Sequence, residues 1–150
     1  MSTSAKLRVL IAEDEVLVSM FLSDLVEDAG FEVVGVARTA SEAVEMAQQH
    51  RPDIALMDAN LKGGSTGVSA AETLVRGQDI SIIFISGDSG LVHDPAVAAL
   101  KPVAVVEKPC MPDELTAVLH RAARVHAAAA RRAGHAAGSG PGARASSAAG

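Results

Sequence analysis

Four short apolar runs in this chain end on residues that can do chemistry. LRVLIA (7–12) gives way to Glu13, Asp14 and Glu15. DIALMD ends on Asp58, ISIIFIS (80–86) on Ser86, and VAVVEKP carries Lys108. Clustered carboxylates repel one another and need a cation to be tolerable. With oxygen donors only, and no histidine or second cysteine nearby, the cation that suits them is hard, Mg²⁺ or Mn²⁺. A lysine beside them is a point charge suited to a phosphoryl oxygen, and a small hydroxyl adds one hydrogen bond. Together these groups make a site for an aspartyl phosphate. Asp58 is the best nucleophile, because it stands alone on a central strand between the acid pair and the lysine. The glycine-rich segment after it leaves its carboxylate accessible.

For these residues to meet, the runs must be neighbouring strands. Short apolar runs rich in branched residues and closed by acids or turn residues read as buried strands, and helical patterns separate them. Residues 15–29 place Val18, Phe21, Leu22, Leu25 and Ala29 on one helical face, with Gly30 as the stop. FEVVGVA (31–37) is a second strand. Thr39 and Glu42 have capping-box spacing ahead of Ala40, Ala43, Val44 and Ala47. A third helix is predicted over 68–76. A short fourth helix follows a long loop, with Asp94 as N-cap and Pro95 as first helical residue. The last helix opens at Asp113 and Glu114 and turns Leu115, Val118, Leu119 and Ala122 inward. Five strands alternating with five helices imply an α/β fold with a parallel sheet covered on both faces. In such sheets the active groups lie beyond the carboxyl ends of the strands, which is where Glu13, Asp14, Asp58, Ser86 and Lys108 fall.

The chain has 150 residues, 49% of them apolar, with three Phe and no Tyr or Trp, so one aliphatic core is expected. Residues 1–115 carry all 18 acids and sum to −10, whereas residues 116–150 carry five Arg and no acid. An acidic body argues against direct DNA binding. A single cysteine, Cys110, fits a reducing, cytoplasmic compartment. The start of the chain reads as neither signal peptide nor membrane span. The reading divides the chain into an N-terminal extension (1–6), one domain (7–133) and a disordered Gly/Ala/Ser-rich tail (134–150). GGSTG (63–67) lacks phosphate-loop spacing and reads as a connector. His93, His120, His126 and His135 read as surface residues, and Arg121, Arg124, Arg131 and Arg132 as the solvated side of the last helix.

VLIAEDE, DIALMDANL, IIFISG and VVEKP, in that order and spacing, resemble the four signatures of the receiver domains of two-component response regulators. The resemblance covers about residues 7–122. It implies a flavodoxin-like fold with strand order 2-1-3-4-5, and phosphorylation of Asp58 by a histidine kinase or phosphotransfer protein. It further implies that Asp14 and Asp58 bind Mg²⁺ directly, with the Asn60 main-chain carbonyl as another ligand and Glu13 acting mostly through water. Ser86 and Lys108 would contact the phosphoryl oxygens, and the Lys108–Pro109 bond would be cis. The chain departs from the family pattern at Val105, where an aromatic switch residue is usual, at Lys62, and at Cys110, which follows Lys-Pro in place of the usual Phe.

The expected function is a stand-alone phosphorylation switch, catalysing only its own phosphorylation and dephosphorylation. It would signal to a separate protein as a monomer or weak homodimer, away from any membrane. A non-phosphorylated receiver-like adaptor is the alternative. An aspartate-based phosphohydrolase fits less well, because Glu13-Asp14 is not a D-x-D-type motif on the first strand and there is no cap domain.

Overall fold

The computed structural model describes residues 6–61 and 66–139, with side chains described as far as Arg132. Eleven elements alternate along the chain. They are β1 (Arg8–Ala12), α1 (Val16–Asp28), β2 (Glu32–Ala37), α2 (Ala40–His50), β3 (Ile54–Asp58), α3 (Gly67–Gly77), β4 (Ser81–Ser86), a 3₁₀ turn (Leu91–His93), α4 (Pro95–Ala99), β5 (Ala104–Glu107) and α5 (Pro112–Ser139). The strands form one parallel sheet in the order β2-β1-β3-β4-β5. The fold is thus the flavodoxin-like α/β architecture that the motifs implied.

The apolar runs are continuous because both faces of the sheet are covered, and period-two alternation divides each strand between two cores. Leu10, Ala12, Ala55, Met57, Ile82 and Phe84 point into one core, closed by α2, α3 and α4. Val9, Ile11, Ile54, Leu56, Ile83, Ile85 and Val106 point into the other, closed by α1 and α5. With one buried Phe among its largest core residues, the packing is almost wholly aliphatic. Helix α2 presents Ala40, Ala43 and Ala47 to the sheet, and these small residues let its backbone lie close to β1 and β2.

Caps act where the sequence put them. Thr39 Oγ1 accepts from Glu42 N, Asp94 accepts from Ala96 N, and Gly30 closes α1 at a φ of +97°. Two expectations change. Phe21 was placed with the inward face of α1, yet it is 40% exposed, and the buried stripe is Ser19, Leu22, Leu25 and Val26. Ser19 can be buried because its hydroxyl donates to Val16 O and accepts from Arg38. The expected tail boundary at 134 falls inside α5, which continues to Ser139. The alanines around Gly134 keep helix propensity high, and a glycine costs a helix only about 1 kcal/mol. Residues 140–150 and Lys62–Ser65, which include most of the GGSTG connector, lie outside the described residues.

Candidate functional site

The strand order places the site. The chain leaves β1 for β2 on one side and returns for β3 on the other, so the carboxyl ends of β1 and β3 flank the point where the connections diverge. Such a point opens a crevice at the sheet edge. Ala12 is in register with Met57, and Asp58 with Ile85. Glu13 and Asp58, each at the end of its strand, therefore stand side by side.

Each side chain is held by its own backbone. Glu13 N donates to Ala37 O, tying the end of β1 to β2. Its side chain is wholly buried and accepts from Glu15 N at 3.0 Å through Oε2. Asp58 is 4% exposed. Its Oδ1 accepts from Asn60 N at 2.9 Å and its Oδ2 from Lys108 Nζ at 3.0 Å. Lys108 is delivered by β5 through its backbone N–H, which donates to Ser86 O, and it precedes a cis peptide bond to Pro109. Its ammonium also lies 3.2 Å from Glu13 Oε1 and 3.8 Å from Glu15 Oε2. The contact to Glu13 Oε1 is ionic without hydrogen-bond geometry, so that buried oxygen is left without a donor.

These distances set the titration of the site. Burial pushes the Glu13 carboxyl above its usual range; the Glu15 N–H opposes this, the Asp58 charge adds to it, and Lys108 opposes it. Burial works to lower Lys108, but its hydrogen bond and charge contact with Asp58, and then Glu13, outweigh it and hold the ammonium above the ordinary lysine value. Lys108 is thus a fixed cation among carboxylates.

Glu13, Asp14 and Asp58 each bring one oxygen to within 4.8 Å of the others. A set made only of carboxylate oxygens, one of them buried without a hydrogen-bond donor, fits a hard divalent cation. The cleft above it has a volume of about 400 Å³ and is lined by Asp14, Glu15, Asp58, Asn60, Gly87 and Lys108.

The structure therefore brings together Glu13, Asp14, Asp58, Asn60 and Lys108, all singled out from the sequence. Ser86 is buried at the end of β4, next to the cleft residue Gly87, and its hydroxyl accepts from Asp88 N at 2.9 Å. That bond leaves its own O–H free to donate. Glu15, part of the acid cluster after β1, lines the cleft, and so does Gly87, for which adjacency to Ser86 was the only available signal. Arg38, at the end of β2, had been given no role. Its guanidinium donates to Glu13 O and to Ser19 Oγ, bracing the turn that presents the acids.

A groove of about 500 Å³ adjoins the cleft, lined by Val18, Phe21, Lys108, Pro109 and Cys110. Val105 is half-buried and packs against the core that includes Leu91 and Val97. Two histidines expected at the bare surface have partners: His126 Nε2 is 3.4 Å from Asp53, and the His120 ring lies 5.9 Å from that of Phe31. Among the described residues, no helix is long and apolar enough to cross a membrane.

The response regulator receiver domain family matches residues 9–120. Phyllosphere-induced regulator PhyR of Methylorubrum extorquens is 36% identical over 130 residues, 85% of this chain and 47% of that protein. The chain thus spans about half the length of that relative. Chemotaxis protein CheY of Thermotoga maritima is 29% identical over 120 residues, 78% of this chain and 98% of that one. Among solved structures, the signal receiver domain of a modulated diguanylate cyclase from Desulfovibrio desulfuricans superposes with a TM-score of 0.74 at 33% identity, covering 81% of this chain and 97% of that one.

Proposed function

The chain belongs to the response regulator receiver domain family, and we propose that it is a phosphorylation switch of a two-component system or phosphorelay, with Asp58 as phosphoryl acceptor. The observation that carries this reading is the charge arrangement at Asp58. One carboxylate oxygen is held by Asn60 N and the other by Lys108, with two more acids on the neighbouring strand end. The donor is a phosphohistidine of a kinase or phosphotransfer protein. An Asp58 oxygen forms the new bond to phosphorus as the P–N bond breaks, and the imidazole departs with the electron pair and takes a proton from water.

Each neighbour has a part in that transfer. Lys108 exchanges its contact with the free carboxylate for one with a phosphoryl oxygen, remaining cationic throughout. The free O–H of Ser86 donates to another phosphoryl oxygen. Asp14, Asp58 and the Asn60 carbonyl would hold Mg²⁺, with Glu13 acting mostly through water, and the cation would compensate the carboxylate charges and polarise the phosphoryl group. The Asn60 N–H, bonded to Oδ1, keeps the Asp58 carboxylate from turning away.

The signal passes to a separate protein through a two-state equilibrium that the phosphoryl group biases. With Val105 at the family's aromatic position, the Gly87–Asp94 segment, anchored by Ser86 Oγ, carries the readout to the α4–β5 face.

Intact-mass analysis after incubation with acetyl phosphate and Mg²⁺ tests the proposal. The expected result is one phosphoryl addition, abolished by Asp58→Ala and by EDTA. A folded chain that takes up no phosphoryl group, or an Asp58→Ala chain that still does, refutes it. The first of these outcomes favours the adaptor reading.

A further inference from the structure

We propose that the contact between His126 and Asp53 is a pH-sensitive clasp on the outer half of α5, closed while the imidazole is protonated and loosened once it is neutral. The inner half of the helix is held by the core, with Leu115, Val118, Leu119 and Ala122 buried and Ala123 packed against them. Arg121 adds a bond to Val103 O. Among the described residues, no side chain beyond Ala123 joins either core, and the polar tether of α5 there is His126, whose Nε2 lies 3.4 Å from Asp53 Oδ1. After it the helix runs on to Ser139 for about 20 Å. A helix of that length is marginal in water by itself, so its last tether decides how far it persists.

Asp53 is a firm anchor. Its Oδ2 accepts from Arg8 N at 2.9 Å, its N–H donates to Arg8 O, and its carbonyl accepts from Ser81 N, so it joins the starts of β1, β3 and β4. The two side chains are only 21% and 27% exposed, and a partly buried pair is screened less than one in open solvent. The contact is one of charge, attractive when the ring is cationic, and histidine changes charge near neutral pH. The pairing therefore contributes on the acid side of the imidazole titration and is lost as pH rises through it. Other charged groups on the surrounding elements do not replace it. Arg8 turns its guanidinium to His50 O at the end of α2, beside the exposed Arg51. Lys6, Asp79 and Lys101, ahead of β1, β4 and β5, are exposed, as is Arg124 on α5 itself. Helix α1 carries Asp24, Glu27 and Asp28 toward its Ala29 end, which meets His120 and not His126. Among the described residues, Asp53 is the acid paired with His126.

The clasp has a consequence for the surface. Arg121, Arg124, Arg131 and Arg132 are all exposed, and on an intact helix they fall within about 100° of one another around its axis. No acid follows Glu114 in the sequence, so nothing on the helix neutralises them. Arg131 and Arg132 lie beyond His126, and fraying past that residue takes them out of line with the first two. Protonation of one histidine thus sets whether the chain presents a continuous cationic row or only its inner half.

Carbon-13 NMR of the full chain tests this, because the Cα shifts of Ala127, Ala128, Ala129 and Ala130 report the ratio of helical to frayed backbone at each pH. Between about pH 5.5 and about pH 8 that ratio is expected to fall roughly two- to five-fold, the range of a partly exposed ion pair. His126→Gln never carries the charge and is expected to hold the ratio low at both pH values. His126→Arg always carries it and is expected to hold the ratio high at both. Asp53→Asn keeps an acceptor for Arg8 N and is expected to abolish the pH response; if it does not fold, the two His126 variants carry the test. A native ratio that is the same at both pH values overturns the proposal, and so does a pH response that survives in His126→Gln, which would assign the titration to another group. The clasp does not depend on phosphorylation of Asp58, so its failure leaves the switch reading untouched.

Discussion

Gly67 is the residue whose replacement is expected to disturb the site most selectively. It opens α3 and donates its N–H to Ala59 O at 3.0 Å. A Cβ added there would lie 2.0 Å from the carbonyl oxygen of Asp58, 2.9 Å from its carbonyl carbon and 3.0 Å from the Ala59 Cα. All three are backbone atoms and cannot rotate away. An ordinary carbon–oxygen contact is above 3 Å, so α3 and the end of β3 must separate by roughly an ångström, with a cost of about 1–3 kcal/mol by analogy with overpacked cores. The added helix propensity of alanine returns at most about 1 kcal/mol. Gly77, at the other end of the same helix, has nothing within 4 Å of its Cβ position. Gly77→Ala should then be neutral or stabilising by a few tenths of a kcal/mol up to about 1 kcal/mol. Urea unfolding of both variants gives the stability difference. Acetyl phosphate labelling in conditions where both are folded gives the effect at Asp58. Gly67→Ala is expected to be the less stable by about 2 kcal/mol, and to label more slowly even when fully folded, because the displaced carbonyl belongs to the acceptor itself. Equal stability of the two variants refutes the close-approach argument. Equal labelling refutes its extension to the site.

Lys108→Met removes the ammonium from Glu13 and Asp58, and in EDTA is expected to cost roughly 2–4 kcal/mol in urea unfolding at neutral pH. Millimolar Mg²⁺ should restore much of that loss, and an equal loss with and without the metal would sink the idea that cation and lysine serve the same carboxylates. The pH dependence follows from the sign of the Glu13 shift. Its raised folded value means that its favourable contribution is full below the ordinary carboxylate range and is lost as pH rises through the folded value. In EDTA, therefore, the Lys108→Met deficit should shrink on acidification, and a deficit that grows instead would contradict the assigned cause. Burial raises the Cys110 thiol, with the Lys108 ammonium opposing. Its alkylation by iodoacetamide at mildly alkaline pH should be slower in the folded chain than in urea, and a faster folded-state rate would show that the lysine charge outweighs burial.

The sheet was legible because each strand is a short apolar run closed by a polar group, and because burial on both faces removes any ambiguity about which face is inward. The cleft was legible for a related reason. Every residue expected there stands at a strand end, and parallel strands bring their carboxyl ends together whatever their separation in sequence. What escaped was whatever depends on side-chain reach. Arg38 spans from β2 to Glu13 O and Ser19 Oγ, and no local pattern marks an arginine as a brace. Phe21 falls on the apolar stripe of α1 by spacing yet sits exposed at a groove, while Ser19 takes a buried place because its hydroxyl is satisfied. Helix α5 runs on to Ser139, past the point at which the Gly/Ala/Ser-rich composition was read as a tail unable to bury a core.

On the proposed reading, the position of Val105 bears on how a phosphorylation signal would be transmitted. It is in register with Phe84 on β4 and packs with Leu91, Val97 and Leu100 around the short α4. A branched side chain has no long lever to swing between a buried and an exposed rotamer. From Ser86, at the end of the strand next to that of Asp58, a chain of side-chain and backbone hydrogen bonds runs toward α4. Ser86 Oγ holds Asp88 N, Asp88 Oδ1 holds Gly90 N, and the Gly90 carbonyl accepts from His93 N, next to the Asp94 cap of α4. On the proposed reading, a phosphoryl group that drew the Ser86 hydroxyl toward it would pull on this chain from its first link. The displacement would reach α4 as a shift of the whole turn, with Val105 keeping the core filled.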